Sequence, residues 1–299
     1  MNKLVLKYGI TALLLGALSA CGSSGNVTTT SSSTPRPSPS PGQDPKPGPS
    51  TEVSFNLNED TTGAQLEALL SQHLANADID AQFSDKNYAS DQPLFPMLDS
   101  LQSPELASFT YTDKKGRAGE LTGQLLAYKQ KHSAIVYDYH LTTSGIFSDK
   151  SAAQTSSLVA ILGTPTAVLP TTGEAINYTG QAFGFNDTGN LAYTVNFAKQ
   201  TAEGSLYGFS NGTPDLELKK ITLSNKAQFD EFSGAGGNNG QVAIAGPGGG
   251  TPISGLNYAV LFYGPNAAEI VGRVQNNGAQ VDWLKNDSEL SFAGKRSTP

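Results

Sequence analysis

From Tyr178 onward the chain is a series of eight short β-rich runs: YTGQAFGF (178–185), LAYTVNFA (191–198), GSLYGFS (204–210), LKKITLS (218–224), QVAIAG (241–246), LNYAVLFYG (256–264), EIVGRVQ (269–275) and LSFAGKR (290–296). Several alternate apolar and polar residues, the pattern of a strand with one buried face. Between them lie NDTGN, SNGTP and GAGGNNG, which read as hairpin turns. Eight strands in so short a span, with glycine inside several, fit a small closed antiparallel barrel whose tight bends need residues without side chains. A flat open sandwich is the alternative. The chain is predicted to be mainly β, with an eight-stranded barrel over 174–299.

The stretch LNYAVLFYGPNAAEIVGRVQ (256–275) is the clearest hairpin. Leu256, Tyr258, Val260 and Phe262 share one parity, so one buried face is expected. Gly264, Pro265 and Asn266 then suit a chain reversal, with return through Ile270 to Val274.

The N-terminal end cannot join this core. Lys3 and Lys7 precede an apolar run from Ile10 to Leu18 that is too short to span a bilayer, so residues 1–20 read as a secretory signal. Leu18-Ser19-Ala20-Cys21 looks like a bacterial lipobox, with Cys21 as the acylated first residue of the mature chain. Cys21 is the only cysteine, so lipidation would leave no thiol for a disulfide or a thiolate nucleophile. Two or three acyl chains on one residue would hold a protein on a membrane. Residues 21–53 are rich in Ser, Pro and Gly and have no apolar face to bury. They form a tether, with a reach from roughly 30 Å as coil to roughly 100 Å extended.

Cleavage after Ala20 leaves 17 basic and 26 acidic side chains, a formal charge of −9. Phosphate contacts need clustered Lys and Arg, and the densest run, DKKGR at 113–117, reads as a solvated turn. Nucleic acid is not an expected partner.

Residues 54–173 have a different texture. Leu66, Leu69, Leu70, His73 and Leu74 form one stripe, which predicts a short amphipathic helix over about 62–76. SFTYTDKKGRAGEL suggests a hairpin, and LLAYKQKHSAIVYDYHL a long strand or a bulged pair. TPTAVLPTTGEA is the natural joint to the barrel.

Catalytic patterns find little support. Gly208-Phe209-Ser210-Asn211-Gly212 satisfies G-x-S-x-G, but a nucleophile elbow joins a strand to a helix and has its histidine downstream, and no histidine follows His140. Neither GAGGNNGQ nor GPGGG completes a nucleotide-binding fingerprint. No familiar metal-ligand spacing occurs. The chain is read as a non-enzyme, with a hydrolase a distant alternative.

The series NYTGQAFGF, LAYTVNFAKQTAEGSL, FSGAGG, FYGPNAAEIVGRV and FAGKR, in this order, resembles the C-terminal barrel of the transferrin-binding protein B family. That family includes the factor H binding proteins and haemophilin-like haem binders. The resemblance covers roughly 175–299 and places 54–173 where the family keeps a variable handle subdomain. It implies a lipoprotein anchored in the outer membrane by Cys21 and exposed at the cell surface. The ligand it implies is haem or a host serum protein carrying iron or haem, passed to a TonB-dependent outer-membrane transporter. The alternative is a complement regulator such as factor H. No resident cofactor is expected, haem being a ligand.

For a haem ligand the candidates are His73, His132 and His140, with Tyr128, Tyr137 and Tyr139 able to line an apolar slot. Ordinary surface or half-buried histidines are the other reading. On a straight strand His132 and His140 would lie about 26 Å apart, too far to share one iron unless the chain bends or reverses between them.

Overall fold

The computed structural model describes residues 56–75, 79–98, 105–113, 120–143, 155–184, 187–229, 232–284 and 289–297. The signal, the tether and Cys21 lie outside them. Val53–Pro299 form one unit built on two sheets.

The first sheet holds β1 (Asn56–Leu57), β2 (Ile79–Ser84), β3 (Glu105–Asp113), β4 (Glu120–Lys129), β5 (Ser133–Thr143) and β6 (Thr155–Gly163). Its order is β1-β6-β5-β4-β3-β2, antiparallel apart from the short parallel pair β1–β6. Helix α1 (Gly63–Ala75) lies against β2. It starts at Thr62 for a clear reason: the Gln65 N–H donates to Thr62 Oγ1 (3.2 Å) and the Thr62 N–H donates to Gln65 Oε1 (2.8 Å). This reciprocal capping box satisfies two amides that the first turn leaves open. Leu66 and Leu70, the stripe expected from the sequence, are buried. A single-turn helix, α2 (Leu94–Met97), buries Leu94 and Phe95.

Of the two readings of LLAYKQKHSAIVYDYHL, the single long strand fails and the bulged pair holds: the ladder β4–β5 shifts register between Thr122 and Gly123, and β5–β6 between Val136 and Tyr137. Lys129 pairs with Ala134, so the chain reverses at Gln130–His132 and the segment is the hairpin β4–β5. The Gln130 N–H closes it on the Ser133 carbonyl (2.7 Å).

The second sheet is the barrel: β7 (Ile176–Gly184), β8 (Asp187–Asn196), β9 (Thr201–Tyr207), β10 (Leu216–Thr222), β11 (Ser224–Phe229), β12 (Phe232–Ile244), β13 (Pro252–Tyr263), β14 (Glu269–Asn276) and β15 (Glu289–Arg296). Closure comes from two ladders. β15 pairs with β7, and β12 pairs with β10 through Leu216↔Ile244 and Leu218↔Val242. Eight antiparallel strands complete the ring, and β11 continues β10 along the first half of β12. GAGGNNG is therefore not a hairpin turn. It lies inside the 13-residue strand β12, where two irregularities of register fall between Gly237 and Gly240 and between Gln241 and Ala243.

The barrel interior is solid. Tyr178, Tyr193, Tyr258, Phe197, Phe262 and Phe292 are fully buried among aliphatic residues of all eight strands. Their polar ends are satisfied locally. Tyr258 donates to the Lys219 carbonyl (2.6 Å), the Tyr193 and Tyr258 hydroxyls lie 3.4 Å apart, and Tyr178 donates to the Ala267 carbonyl. Burial pushes the Tyr193 phenol well above its ordinary range. A barrel packed this way leaves no room for a ligand inside.

Candidate functional site

The outer face of the barrel is not a uniform solvent surface. Leu256, Tyr258, Val260 and Phe262 point into the barrel core, but Ala259, Leu261 and Tyr263, of the opposite parity, are buried as well. The expectation of one buried face fails here because the first sheet covers the other. Leu126, Ile135, Tyr137, Leu158 and Ile161 of that sheet pack on Phe183, Phe232, Ala259, Leu261, Tyr263 and Val271 of the barrel. Strands buried on both faces lose clean alternation, and every residue from Glu269 to Val274 is buried.

Two barrel carboxylates pin this seam. Glu269, 3% exposed, accepts from the Lys131 N–H (2.8 Å), from the His132 N–H (3.0 Å to each oxygen) and from the Ser133 hydroxyl (2.8 Å). It thus collects the whole β4–β5 turn. Glu289 accepts from Arg273 (2.8 Å) and from the Leu158 N–H of β6 (2.9 Å). Arg273 and Glu289 are both almost fully buried, a geometry in which a charge survives only if paired and hydrogen-bonded. The FYGPNAAE motif serves the same junction. Gly264, at φ +74°, lies so close to the His132 ring that an added Cβ would come within 2.8 Å of it. Its N–H donates to the Thr164 carbonyl (2.8 Å), and its own carbonyl accepts from the Thr166 hydroxyl (2.8 Å). The joint segment between the sheets is fastened there.

Of the six residues singled out from the sequence, three fall on this seam. The Tyr128 and Tyr137 rings both lie against Phe183, with centroids 4.9 and 5.1 Å away. Burial, and then the Glu269 charge, push the Tyr128 phenol upward. His132 sits in the β4–β5 turn, half-buried against Gly264. His140 stands in β5, paired with Gly123 and Thr155, about 26 Å of strand away at ~3.3 Å per residue. His132 is the last residue of the reversal itself, so no turn separates it from His140. Tyr139 is its neighbour in β5, and His73 belongs to α1. The structure brings Tyr128 and Tyr137 together around one barrel phenylalanine, with His132 at the same junction, and places the backbones of His73 and His140 elsewhere.

Ser210 of the G-x-S-x-G pattern lies in the loop between strands β9 and β10, not between a strand and a helix. Its N–H and hydroxyl donate to Asp187 Oδ1 (2.9 and 3.3 Å), and the Asn211 and Thr213 N–H groups donate to the same carboxylate. Burial pushes the Asp187 carboxyl up, but these hydrogen bonds outweigh it and hold the group below its ordinary value. The serine organises a loop.

Sequence reading missed one feature. Beside the seam, next to buried Arg273, β11 to β14 form a polar cleft of about 210 Å³. Six of its nine lining residues are Asn or Gln: Gln228, Asn238, Asn239, Asn257, Gln275 and Asn277. These residues span fifty positions of sequence, and only the register of four strands gathers them.

Residues 167–274 match the family model described as factor H binding protein, C-terminal. The match runs from the segment before β7 into β14 and covers about a third of the chain. Curated protein sequences give no match to the chain. Among solved structures, a transferrin binding protein B variant from Haemophilus parasuis Hp5 is similar at 14% identity, with 74% of this chain and 45% of that one covered and a TM-score of 0.38. The apo haemoglobin receptor HpuA from Kingella denitrificans is similar at 14% identity, covering 74% of this chain and 83% of that one, also with a TM-score of 0.38. The chain thus spans less than half the length of the transferrin binding protein B chain it resembles.

Proposed function

We propose that this chain is a bacterial outer-membrane lipoprotein, anchored through Cys21 and displayed at the cell surface, that captures a host protein by binding and not by catalysis. The match of residues 167–274 to the factor H binding protein C-terminal model carries this reading. The solid barrel supports it, because a module with a filled interior recognises partners on its exterior. The first ligand class is haem or a haem- or iron-carrying serum protein, whose cargo would pass to a TonB-dependent transporter. Tyr128, Tyr137 and His132 all lie against barrel residues, and Tyr137 is buried, so half-buried Tyr128 and His132 are the two candidates with surface at the seam. The second reading, capture of a complement regulator such as factor H, is favoured by the description of the matching family model. A protein ligand of either kind would use a broad interface, on the order of 1,200–2,000 Å².

The test is a pull-down from host serum with the purified chain, followed by mass spectrometry, alongside hemin titration. Haemoglobin or transferrin in the eluate supports acquisition, and factor H supports the second reading. With no serum protein recovered, a Soret band surviving gel filtration leaves direct haem scavenging. Absence of all three overturns the proposal.

A further inference from the structure

We infer that the polar cleft on the outer face of β11 to β14 is a binding site for a neutral saccharide. Three observations lead there. The first is chemical. Six carboxamides, those of Gln228, Asn238, Asn239, Asn257, Gln275 and Asn277, face one cleft. A carboxamide carries a donor and an acceptor side by side, the pairing that vicinal hydroxyls of a sugar ring present in return; Asn238 Nδ2 is engaged by the Gln228 carbonyl and Asn277 Nδ2 by Gln275 Oε1, which leaves Asn239 and Asn257 as the principal contacts. The side chains of Asn239 and Asn257 make no hydrogen bond among the described residues and are open to such a ligand.

The second observation is electrostatic. The one charged side chain in the wall is Arg273, and its guanidinium is held by buried Glu289 at 2.8 Å while lying over the Phe232 ring at 5.8 Å. The charge is answered inside the protein, so Arg273 presents no free field that would select an anion, and among the described residues no carboxylate lines the cleft to select a cation. Hydroxyls are the remaining match. The volume, about 210 Å³, is below the roughly 300–1,000 Å³ of clefts that enclose drug-sized molecules. It suits one or two sugar rings.

The third is backbone construction. The cleft exists because β12 departs from its ladder: between Gly237 and Gly240 the register shifts, and Asn238 and Asn239 stand out of it, Asn239 with φ +56°. A bulge of this kind re-aims side chains next to binding sites. It is backed firmly. A Cβ on Gly240 would fall 2.1 Å from the ring of Tyr258, its ladder partner in β13, so β12 can keep this register only with glycine there. Asn238 donates to the Gln228 carbonyl and ties the bulge to β11. The glycine and asparagine of GGNNG, which answer to no nucleotide fingerprint, thereby acquire a use.

Neutral saccharide could come from a host glycoprotein or from a bacterial envelope polysaccharide, and the two sources share this chemistry. The experiment is a titration of the full chain, labelled with nitrogen-15, with glucose, galactose, N-acetylglucosamine and lactose, and with glucuronic acid as the anionic control. Side-chain amide resonances report the cleft directly. The expected result is a saturable shift of the Asn239 and Asn257 amide signals by at least one neutral sugar, at a Kd in the millimolar range that a few neutral hydrogen bonds support. Asn257→Ala and Asn239→Gly, the latter chosen because glycine keeps the positive φ, should each weaken that sugar about tenfold, with the dispersion of the remaining spectrum showing that the fold is intact. Competition by neutral N-glycans released from serum proteins, or by neutral envelope polysaccharide, identifies the source. No shift at these amides up to ~20 mM sugar, a range that would still reveal millimolar binding, overturns the inference. So do equal affinities in the variants, competition by neither polymer, or a response to glucuronic acid alone.

Discussion

Replacing Glu269 by alanine tests whether the seam depends on its carboxylate. The group accepts from three donors of the β4–β5 turn, the Lys131 and His132 amides and the Ser133 hydroxyl. Ser133 is fully buried, so its hydroxyl would lose its acceptor without gaining water, at a cost of about 1–2 kcal/mol. Lys131 is exposed and His132 half-buried. Water can reach those amides, and each contributes a smaller amount, about 0.5–1 kcal/mol. The sum is about 3 kcal/mol. In a domain of this size each kcal/mol moves Tm by about 2–4 °C, so the variant should melt about 6–12 °C lower. Glu269→Gln keeps one acceptor oxygen but turns an N–H₂ group toward donors, and should lose about 2 kcal/mol. Urea and thermal unfolding give the magnitude, and amide hydrogen exchange at Lys131 and His132 gives the location. A loss below ~1 kcal/mol, or a full loss with exchange at those amides unchanged, would refute the assignment of Glu269 as the clamp.

Three other outcomes follow from the same geometry. Gly264→Ala should cost about 1–3 kcal/mol, from its positive φ and from the His132 ring. Adding His132→Ala should return only part of the steric cost, because the His132 Cβ that alanine keeps would itself lie 2.9 Å from the added methyl, and full recovery would exclude backbone strain. Arg273→Met leaves Glu289 buried without its cation and should destabilise by about 3–5 kcal/mol. Replacing both residues by apolar ones should recover most of that, short of the unmet Leu158 amide, as read from urea midpoints. Asp187 has a folded pKa below its ordinary 3.8, so its contribution is present above about pH 4 and is lost as pH falls through the folded value. Asp187→Asn should therefore cost about 1–2 kcal/mol at pH 7 and less near pH 3; an equal deficit at both would contradict the hydrogen-bonded carboxylate.

The eight strands of the barrel were legible because each carries its own local signal: alternation, β-branched or aromatic residues, and a turn with Asn or Gly at its end. The α1 stripe was legible for the same reason, and its Thr62–Gln65 capping box is a local pattern that could also have been read. β11 was not separated from β10, since only a change of partner ladder and a kink at Leu223 divide two stretches of continuous extended chain. The GAGGNNG segment has turn composition, yet the ladders on both sides keep it in a strand. Glycine there answers to the Tyr258 ring beneath it, a contact that composition does not carry. Of the candidate site residues, Tyr128 and Tyr137 were found by residue type, but their meeting at Phe183 depends on which face of β5 lands on which face of β7.

By itself, the sequence determined the content of strands and turns, the chain reversal at Gly264–Asn266, the stripe of α1 and the exclusion of an all-helical core. These follow from periods of two or about four residues, which neighbouring side chains impose on one another directly. Only the tertiary structure decided that one barrel wall is buried on both sides, that Glu269 and Glu289 reach across more than 130 positions to hold the first sheet, and that six distant amides share a cleft. Such outcomes depend on strand register and on the packing of one sheet over another. No period in the chain encodes either, because the contacts that stabilise them are made between segments far apart in sequence.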